Sequence, residues 1–324
     1  MKLTCVLSFY SHDDEMRQLP QELLDDVVDI VAEEEDALKT LINCRAAARE
    51  FNIRSREYLF SSITLRPKRS SNDEAKTIFS EDALYEFAVA DPSILRSIKD
   101  VKIILSSADR SKTLVALLSQ LNGPDSNVTS LDLSADRFED WNLEAQDRQE
   151  IIKLIFSGRI QKLAIAQILG FPLKAILAKL PASITDLSLT QVITGPSTVL
   201  PTVQNASPGA QPRLRRLAID EFALPLLTRV DSAHFSHRNN MIGSIQELVL
   251  LSPKTIGSAA EWSFVLQHMG QSLRSLSVFV LCVLPFHHTE LMSRTGLSLT
   301  LVSANSLESS ASTPCQSSKS CISA

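Results

Sequence analysis

The sequence predicts an N-terminal all-α unit of three short helices, followed by an α/β solenoid with a one-sided parallel sheet. Three observations carry this reading. A run of helical apolar spacing stands apart at Leu19–Leu65. Beyond residue 97 a short aliphatic pattern recurs seven times, and the residues alternating with those aliphatics are mostly polar.

The N-terminal run opens Leu19-Pro20-Gln21-Glu22-Leu23-Leu24. Proline near the first helical turn has a pre-set φ and lacks only an N–H that the helix could not use there. Leu23, Leu24, Val27, Val28, Ile30 and Val31 then recur at helical spacing, with Gln21, Glu22, Asp25, Asp26 and Asp29 between them. Asp36 is placed to cap a second helix carrying Leu38, Leu41, Ile42, Cys44 and Ala48. Ser55 is placed to cap a short third one with Tyr58, Leu59 and Phe60.

The repeated strand reads aliphatic, two residues, aliphatic, one residue, aliphatic. It occurs at Ile98-x-x-Val101-x-Ile103, Val128-x-x-Leu131-x-Leu133, Ile160-x-x-Leu163-x-Ile165 and Ile184-x-x-Leu187-x-Leu189. It continues at Leu214-x-x-Leu217-x-Ile219, Ile245-x-x-Leu248-x-Leu250 and Leu273-x-x-Leu276-x-Val278. Steps between central residues are 30, 32, 24, 30, 31 and 28, room for one strand and one helix. Helical spacing fills the gaps at Leu114–Leu121, Arg148–Phe156, Leu173–Leu180 and Ala260–Met269. Strand and helix in alternation give parallel strands joined by crossovers. A closed or doubly wound α/β fold shares this rhythm but needs strands apolar on both faces. Ser130, Asp132 and Ser134, and likewise Asp186, Ser188 and Thr190, point instead to a wet face. Burying three aliphatics of one strand contributes about 5 kcal/mol. Ordering costs about 1–2 kcal/mol per residue, so the units must stack.

The N-terminal pattern resembles the F-box of fungal F-box proteins. The matching residues are Leu19-Pro20-x-Glu22-Leu23, Asp36-Ala37-Leu38-Lys39-Thr40-Leu41, Cys44, Arg49, Arg54-Ser55-Arg56-x-x-Leu59-Phe60 and Ile63-Thr64-Leu65. The repeats are similar to degenerate leucine-rich repeats. The asparagine that family places past the strand is replaced by Asp136, Ile168, Val192, Phe222 and Pro253. The resemblance implies a substrate-recognition adaptor of a cullin–RING (SCF-type) ubiquitin ligase, itself without catalytic residues. Its F-box would dock on the Skp-type subunit through Leu19, Pro20, Leu23, Leu24, Val27, Val28, Val31, Leu38, Leu41 and Cys44. The repeats would hold a substrate protein. Phe51 stands where the family usually has tryptophan, and Ala46-Ala47 replaces bulkier aliphatics. These departures favour the alternative, a leucine-rich scaffold that binds a partner without ligase association.

Alternate strand residues would line the substrate face: Asp132, Lys162, Asp186, Arg216, Asp220, Glu247, Leu251 and Phe279. Their mixed signs suit a protein partner better than a polyanion, and the net charge of −5 offers no general attraction to nucleic acid or an anionic membrane. No glycine-rich phosphate loop or nucleophile elbow appears, and no cofactor is expected. His234-x-x-His237 lacks a third candidate ligand, and His287-His288 reads as a surface pair. The five cysteines lie apart, which suits a reducing compartment in the cytoplasm or nucleus. A signal peptide is not expected, because Ser8 and Ser11-His12-Asp13-Asp14-Glu15 break the initial apolar run. The division is a flexible segment 1–17, F-box 18–65, linker with a helix at Asp82–Val89 over 66–97, solenoid 98–302, and a disordered serine-rich tail 303–324. Thr194–Pro212 reads as an inserted loop. The tail starts where a further repeat would close the array, so the C-terminus reads as truncated.

Overall fold

The computed structural model describes residues 20–33, 40–44, 49–66, 81–105, 112–141, 145–195, 213–220, 222–223, 241–251, 259–269, 272–281 and 294–300. Pro20 launches helix α1 (Gln21–Ala32), its carbonyl accepting the N–H groups of Leu23 at 3.0 Å and Leu24 at 3.4 Å. Residues 40–44 are helical. Helix α2 (Arg49–Ser61) runs without a break into strand β1 (Ser62–Leu65). Ser55 therefore caps nothing; it is buried in mid-helix, and the third helix starts at least six residues earlier than the capping signal suggests. Asp36 and Leu38 lie outside the described residues.

The remaining helices are α3 (Glu81–Ala90), α4 (Ile94–Ser97), α5 (Lys112–Leu121), α6 (Gln146–Ile155), α7 (Leu173–Ala178) and α8 (Ala259–Met269). The strands are β2 (Asp100–Leu105), β3 (Ser130–Asp140), β4 (Lys162–Phe171), β5 (Asp186–Thr190) and β6 (Ile193–Thr194). They continue with β7 (Arg216–Asp220), β8 (Glu247–Leu251), β9 (Ser275–Leu281) and β10 (Arg294–Thr300). All belong to one sheet, ordered β1-β2-β3-β4-β5-β7-β8-β9-β10, with the short β6 on β4. Among the described strands only the β9–β10 pair is antiparallel.

Register is uniform at the start of the strands from β1 to β9, and beyond Ser134 the β3–β4 pairing shifts so that Glu139 meets Ile168. Ile63, Val101, Leu131, Leu163, Leu187, Leu217, Leu248 and Leu276 stand side by side, one per strand. Their row is continuous with buried Leu114, Leu117, Leu118 and Leu121 of α5 and Ile151, Ile152, Leu154 and Ile155 of α6. Val28, Val31 and Phe60 of α1 and α2 belong to that same core.

The structure thus corrects the predicted fold class. The chain is not an all-α F-box followed by a leucine-rich-repeat-like solenoid with a one-sided sheet, but an α/β fold on one predominantly parallel sheet. β1, inside the segment assigned to the helical unit, is the first strand of that sheet, and α1 and α2 share its core. Nor is the second sheet face uniformly wet: Ala218, Asp220 and Val249 are buried there. The physical reason is compositional. β4, β7 and β8 carry Ala164, Ala166, Ala218 and Val249 at the alternate positions, where β3 and β5 carry Ser and Asp.

The end of β4 and the residue after β6 need glycine. Gly170 has φ +69°, and a Cβ on Gly195 would lie 2.6 Å from the Gly170 carbonyl oxygen. This close approach is what allows β6 to pair with β4.

Leu163 is buried in the central row, whereas Ser188 on β5 sits half-exposed on the other face. Leu163→Ala is expected to cost about 2–5 kcal/mol in urea denaturation. Ser188→Ala should stay within about 0.5 kcal/mol.

Candidate protein-interaction surfaces

Two surfaces are open for contact, and the first lies on α1. Its apolar residues span an arc of about 160° at ~100° per residue, wider than the ~100° a core-facing stripe requires. One side of the arc enters the core: Val28 is 0% and Val31 1% exposed. The other side faces outward, with Leu23 51%, Val27 39% and Ile30 60% exposed. Pro20 is exposed and Leu24 half-buried. In the next segment Leu41 and Cys44 are buried, while Ile42 is exposed, as is Ile53 on α2. Burial pushes the Cys44 thiol pKa up, so it is held as a neutral, inert thiol. Leu19 and Leu38 lie outside the described residues.

A polar clamp fixes α1 on α2. The Arg54 guanidinium donates to both oxygens of Asp29, Nε to Oδ1 at 2.7 Å and Nη2 to Oδ2 at 2.9 Å. Its Nη1 donates to Glu57 at 2.8 Å, and the Tyr58 hydroxyl donates to Asp29 at 3.0 Å. The hydrogen bond from Arg54 holds the Asp29 carboxyl below the usual carboxylate range and raises the Arg54 pKa in return. Arg54 lies 5.3 Å from the Tyr58 ring centroid, a cation–π contact.

The second surface is the sheet face opposite the central aliphatic row. Register places Asp100, Ser130, Lys162, Asp186, Arg216, Glu247 and Ser275 in one row across seven strands. Neighbours in that row are about 4.8 Å apart. The next row reads Thr64, Lys102, Asp132, Ala164, Ser188, Ala218, Val249 and Ser277. Opposite charges pair across strands: Lys102 with Asp132 and Arg216 with Glu247, both at 3.3 Å. All four side chains are well exposed, so each pair contributes about 0–1 kcal/mol. Asp186 accepts the Thr185 hydroxyl at 2.6 Å. Lys162 is exposed and makes no ion pair among the described residues. The predicted set Asp132, Lys162, Asp186, Arg216 and Glu247 is therefore gathered on one accessible face.

Three other predicted residues fare differently. Asp220 is buried, so its assignment to an open binding face is corrected. Its carboxylate accepts the N–H groups of Phe222 and Ala223, both at 3.1 Å, and that of Gln191. These bonds hold the turn after β7. Leu251 is half-buried in β8 beside Asp220. Phe279 belongs to β9 opposite Leu251.

Sequence reasoning missed a polar ladder at the strand ends. Gln167 and Gln191 adopt left-handed backbone, φ 59° and 53°, and Gln167 Nε2 donates to Gln191 Oε1 at 3.3 Å. With Gln191 donating in turn to Asp220, the ladder ties β4, β5 and β7 together. Its signal is a glutamine four positions past the central leucine in β4 and after β5, with Asp220 three positions past it in β7. The histidines 234, 237, 287 and 288 lie outside the described residues. Among the described residues no cluster of His, Cys, Asp or Glu is placed to hold a metal ion, and no described helix is long and apolar enough to cross a membrane.

The class these features define is an α/β protein with an exposed apolar helix stripe, an exposed charged sheet face and a buried acidic residue at the turn after β7. Comparison with protein-family models and with curated proteins finds no match for this chain.

Asp220→Ala leaves buried N–H donors without their acceptor and is expected to cost about 2 kcal/mol or more. Arg216→Ala should change stability by about 1 kcal/mol at most. Thermal and urea unfolding of the two variants side by side measures the contrast.

Proposed function

We propose that this chain is a non-catalytic adaptor of a cullin–RING ubiquitin ligase, working in the cytoplasm or nucleus. α1 would meet the Skp-type subunit, and the charged sheet face would hold the substrate protein. The observation that carries the reading is the divided apolar arc of α1. Leu23, Val27 and Ile30 form a large-aliphatic stripe at i, i+4 and i+7, held outward on a helix anchored by Val28, Val31 and the Arg54 clamp. A helix presenting apolar anchors at that spacing fits the helix-in-groove mode of recognition. The anticipated docking set accordingly narrows. Val28, Val31, Leu41 and Cys44 serve the chain's own core, and Ile30 joins Leu23 and Val27.

The chemistry asked of such a chain is positional. Holding a substrate lysine near a partner's thioester raises its effective concentration, a gain of up to ~7–11 kcal/mol when orientation is good. The mixed-sign rows of the sheet face suit selection of a protein surface, since charges of that kind govern specificity and encounter more than raw affinity.

One observation favours a second reading, an interaction protein without ligase association. Four of the residues that the F-box resemblance assigns to docking are sealed in the core, so the remaining stripe is narrow.

Leu23→Asp with Val27→Asp is expected to weaken capture of the Skp-type subunit at least ~100-fold, about 2.7 kcal/mol. The melting temperature should be unaffected, because both side chains are exposed. Capture that survives the double change rejects the docking stripe, and wild-type protein that captures nothing favours the second reading. For the other surface, Lys162→Ala with Arg216→Ala should leave adaptor capture intact and lower recovery of substrate proteins in co-purification.

A further inference from the structure

Glu81 is a buried titratable group of the helical layer that neither contact surface uses. It opens α3, its side chain is only 7% exposed, and its Oε1 has no hydrogen-bond partner among the described residues. The charges that act on it are both negative: Asp82 on its own helix and Asp147 on α6. Asp147 is ion-paired with Arg148, whose Nη1 lies 3.3 Å from it and whose guanidinium stacks 5.1 Å from the Trp141 ring centroid. α2 and α6 touch α3 through Phe60–Phe87 and Asp147, and no cation of either is among the groups that shift Glu81; α5 and α4, also packed against α3, bring no relief. α5 carries a single ionisable residue, Lys112, exposed at its first position. α4 carries only Arg96, which is exposed and paired with Asp125 at 2.8 Å.

The helix that Glu81 begins is a junction. Leu84 and Ala88 enter the core, and Phe87 meets Phe60 of α2 edge-on, with centroids 6.3 Å apart. α3 therefore links the N-terminal helices to the helices lying on the sheet.

We propose that Glu81 is a pH-sensitive latch for α3: uncharged, it lets the first turn lie in the helical layer; ionised, it draws that turn toward water and loosens the Phe87–Phe60 junction. Burial, with Asp82 and Asp147 adding to it, raises the pKa of Glu81 to about 7. A helix N-terminus normally favours a negative side chain, so burial here outweighs the helix dipole. The sign follows from linkage. A carboxyl whose folded pKa lies above its unfolded value is protonated in both states at low pH. Its contribution is full below about 4.5 and is lost as pH rises to about 7, after which the loss is constant.

Hydrogen exchange on the full chain, corrected for intrinsic rates, tests the latch. Protection of the α3 amides is expected to fall roughly tenfold or more between pH 5 and pH 8. Glu81→Gln should remove that dependence while amides of the β3–β4 core keep theirs. Equal α3 protection at the two pH values overturns the proposal, and so does an unchanged dependence in Glu81→Gln. Should that variant fail to fold, the carboxyl carbon of Glu81 is titrated by NMR in the native chain. A midpoint near that of free glutamate overturns the latch; a midpoint near neutral supports it.

Discussion

One repeated hydrogen-bond geometry fixes the placement of nearly every other group. The residue before each of β2, β3, β4, β5, β7 and β8 offers a carbonyl that accepts the N–H of the residue before the next strand in the sheet and that of its first residue. Lys99 accepts from Thr129 and Ser130, Thr129 from Gln161 and Lys162, and Gln161 from Thr185 and Asp186. Thr185 then accepts from Arg215 and Arg216, Arg215 from Gln246 and Glu247, and Gln246 from Arg274 and Ser275, all at 2.7–3.0 Å. With the entry point the same in every strand, no register slip accumulates. A slip of one residue anywhere would turn Leu131 or Leu187 out of the core, so burial and hydrogen bonding enforce each other. The charged row on the opposite face follows from this. Lys162, Asp186, Arg216 and Glu247 are neighbours because the leucines one position on are stacked.

Both ends of the strands must still satisfy their backbone groups away from the ladder. At the entry side the work is done by side chains just before the first aliphatic of the motif. Asn127 donates to the Arg96 carbonyl at 2.7 Å, Ser244 to that of Leu214 at 2.9 Å, and Ser272 to that of Ile245 at 2.7 Å. Arg159 reaches three carbonyls, those of Leu121, Gly123 and Ser126. At the exit side the Asp220 carboxylate does the equivalent for the N–H groups of Gln191, Phe222 and Ala223, while the side chains of Gln167 and Gln191, both on left-handed backbone, bond to each other.

What the sequence disclosed follows from which signals are local. The seven aliphatic triplets stand in one register, and helices α3, α5, α6, α7 and α8 fall where the 3.6-residue spacing put them, to within two residues at their boundaries. These are properties of a few adjacent residues. β1 was hidden because Ile63-Thr64-Leu65 also completes the F-box resemblance, and nothing in four residues says which neighbour they will pair with. The second face is not uniform because the polar alternation of β3 and β5 does not continue in β4, β7 and β8, whose alternate positions hold alanine and valine. The antiparallel β10 carries no aliphatic triplet of the repeated kind. Ser55 failed as a cap because a serine in a helix interior and a serine at its start look alike in sequence.

The same limit bears on α1, where one amphipathic helix serves two purposes. Periodicity places six apolar residues on one arc but does not tell a core stripe from a docking stripe. Burial separates them: Val28 and Val31 bind the helix to its own chain, and Leu23, Val27 and Ile30 do not. Each of the latter forgoes part of the ~1.5–3 kcal/mol that full burial of such a side chain contributes. Three of them at i, i+4 and i+7 on a single helix is a concentration of unused burial, not the scattered exposure common on protein surfaces. A clamp of Asp29, Arg54 and Tyr58 then keeps the helix from rolling to bury them. Rotation inward would bring Leu23, Val27 and Ile30 under cover only by lifting Val28 and Val31 out, so the outward stripe is covered by a second surface or not at all.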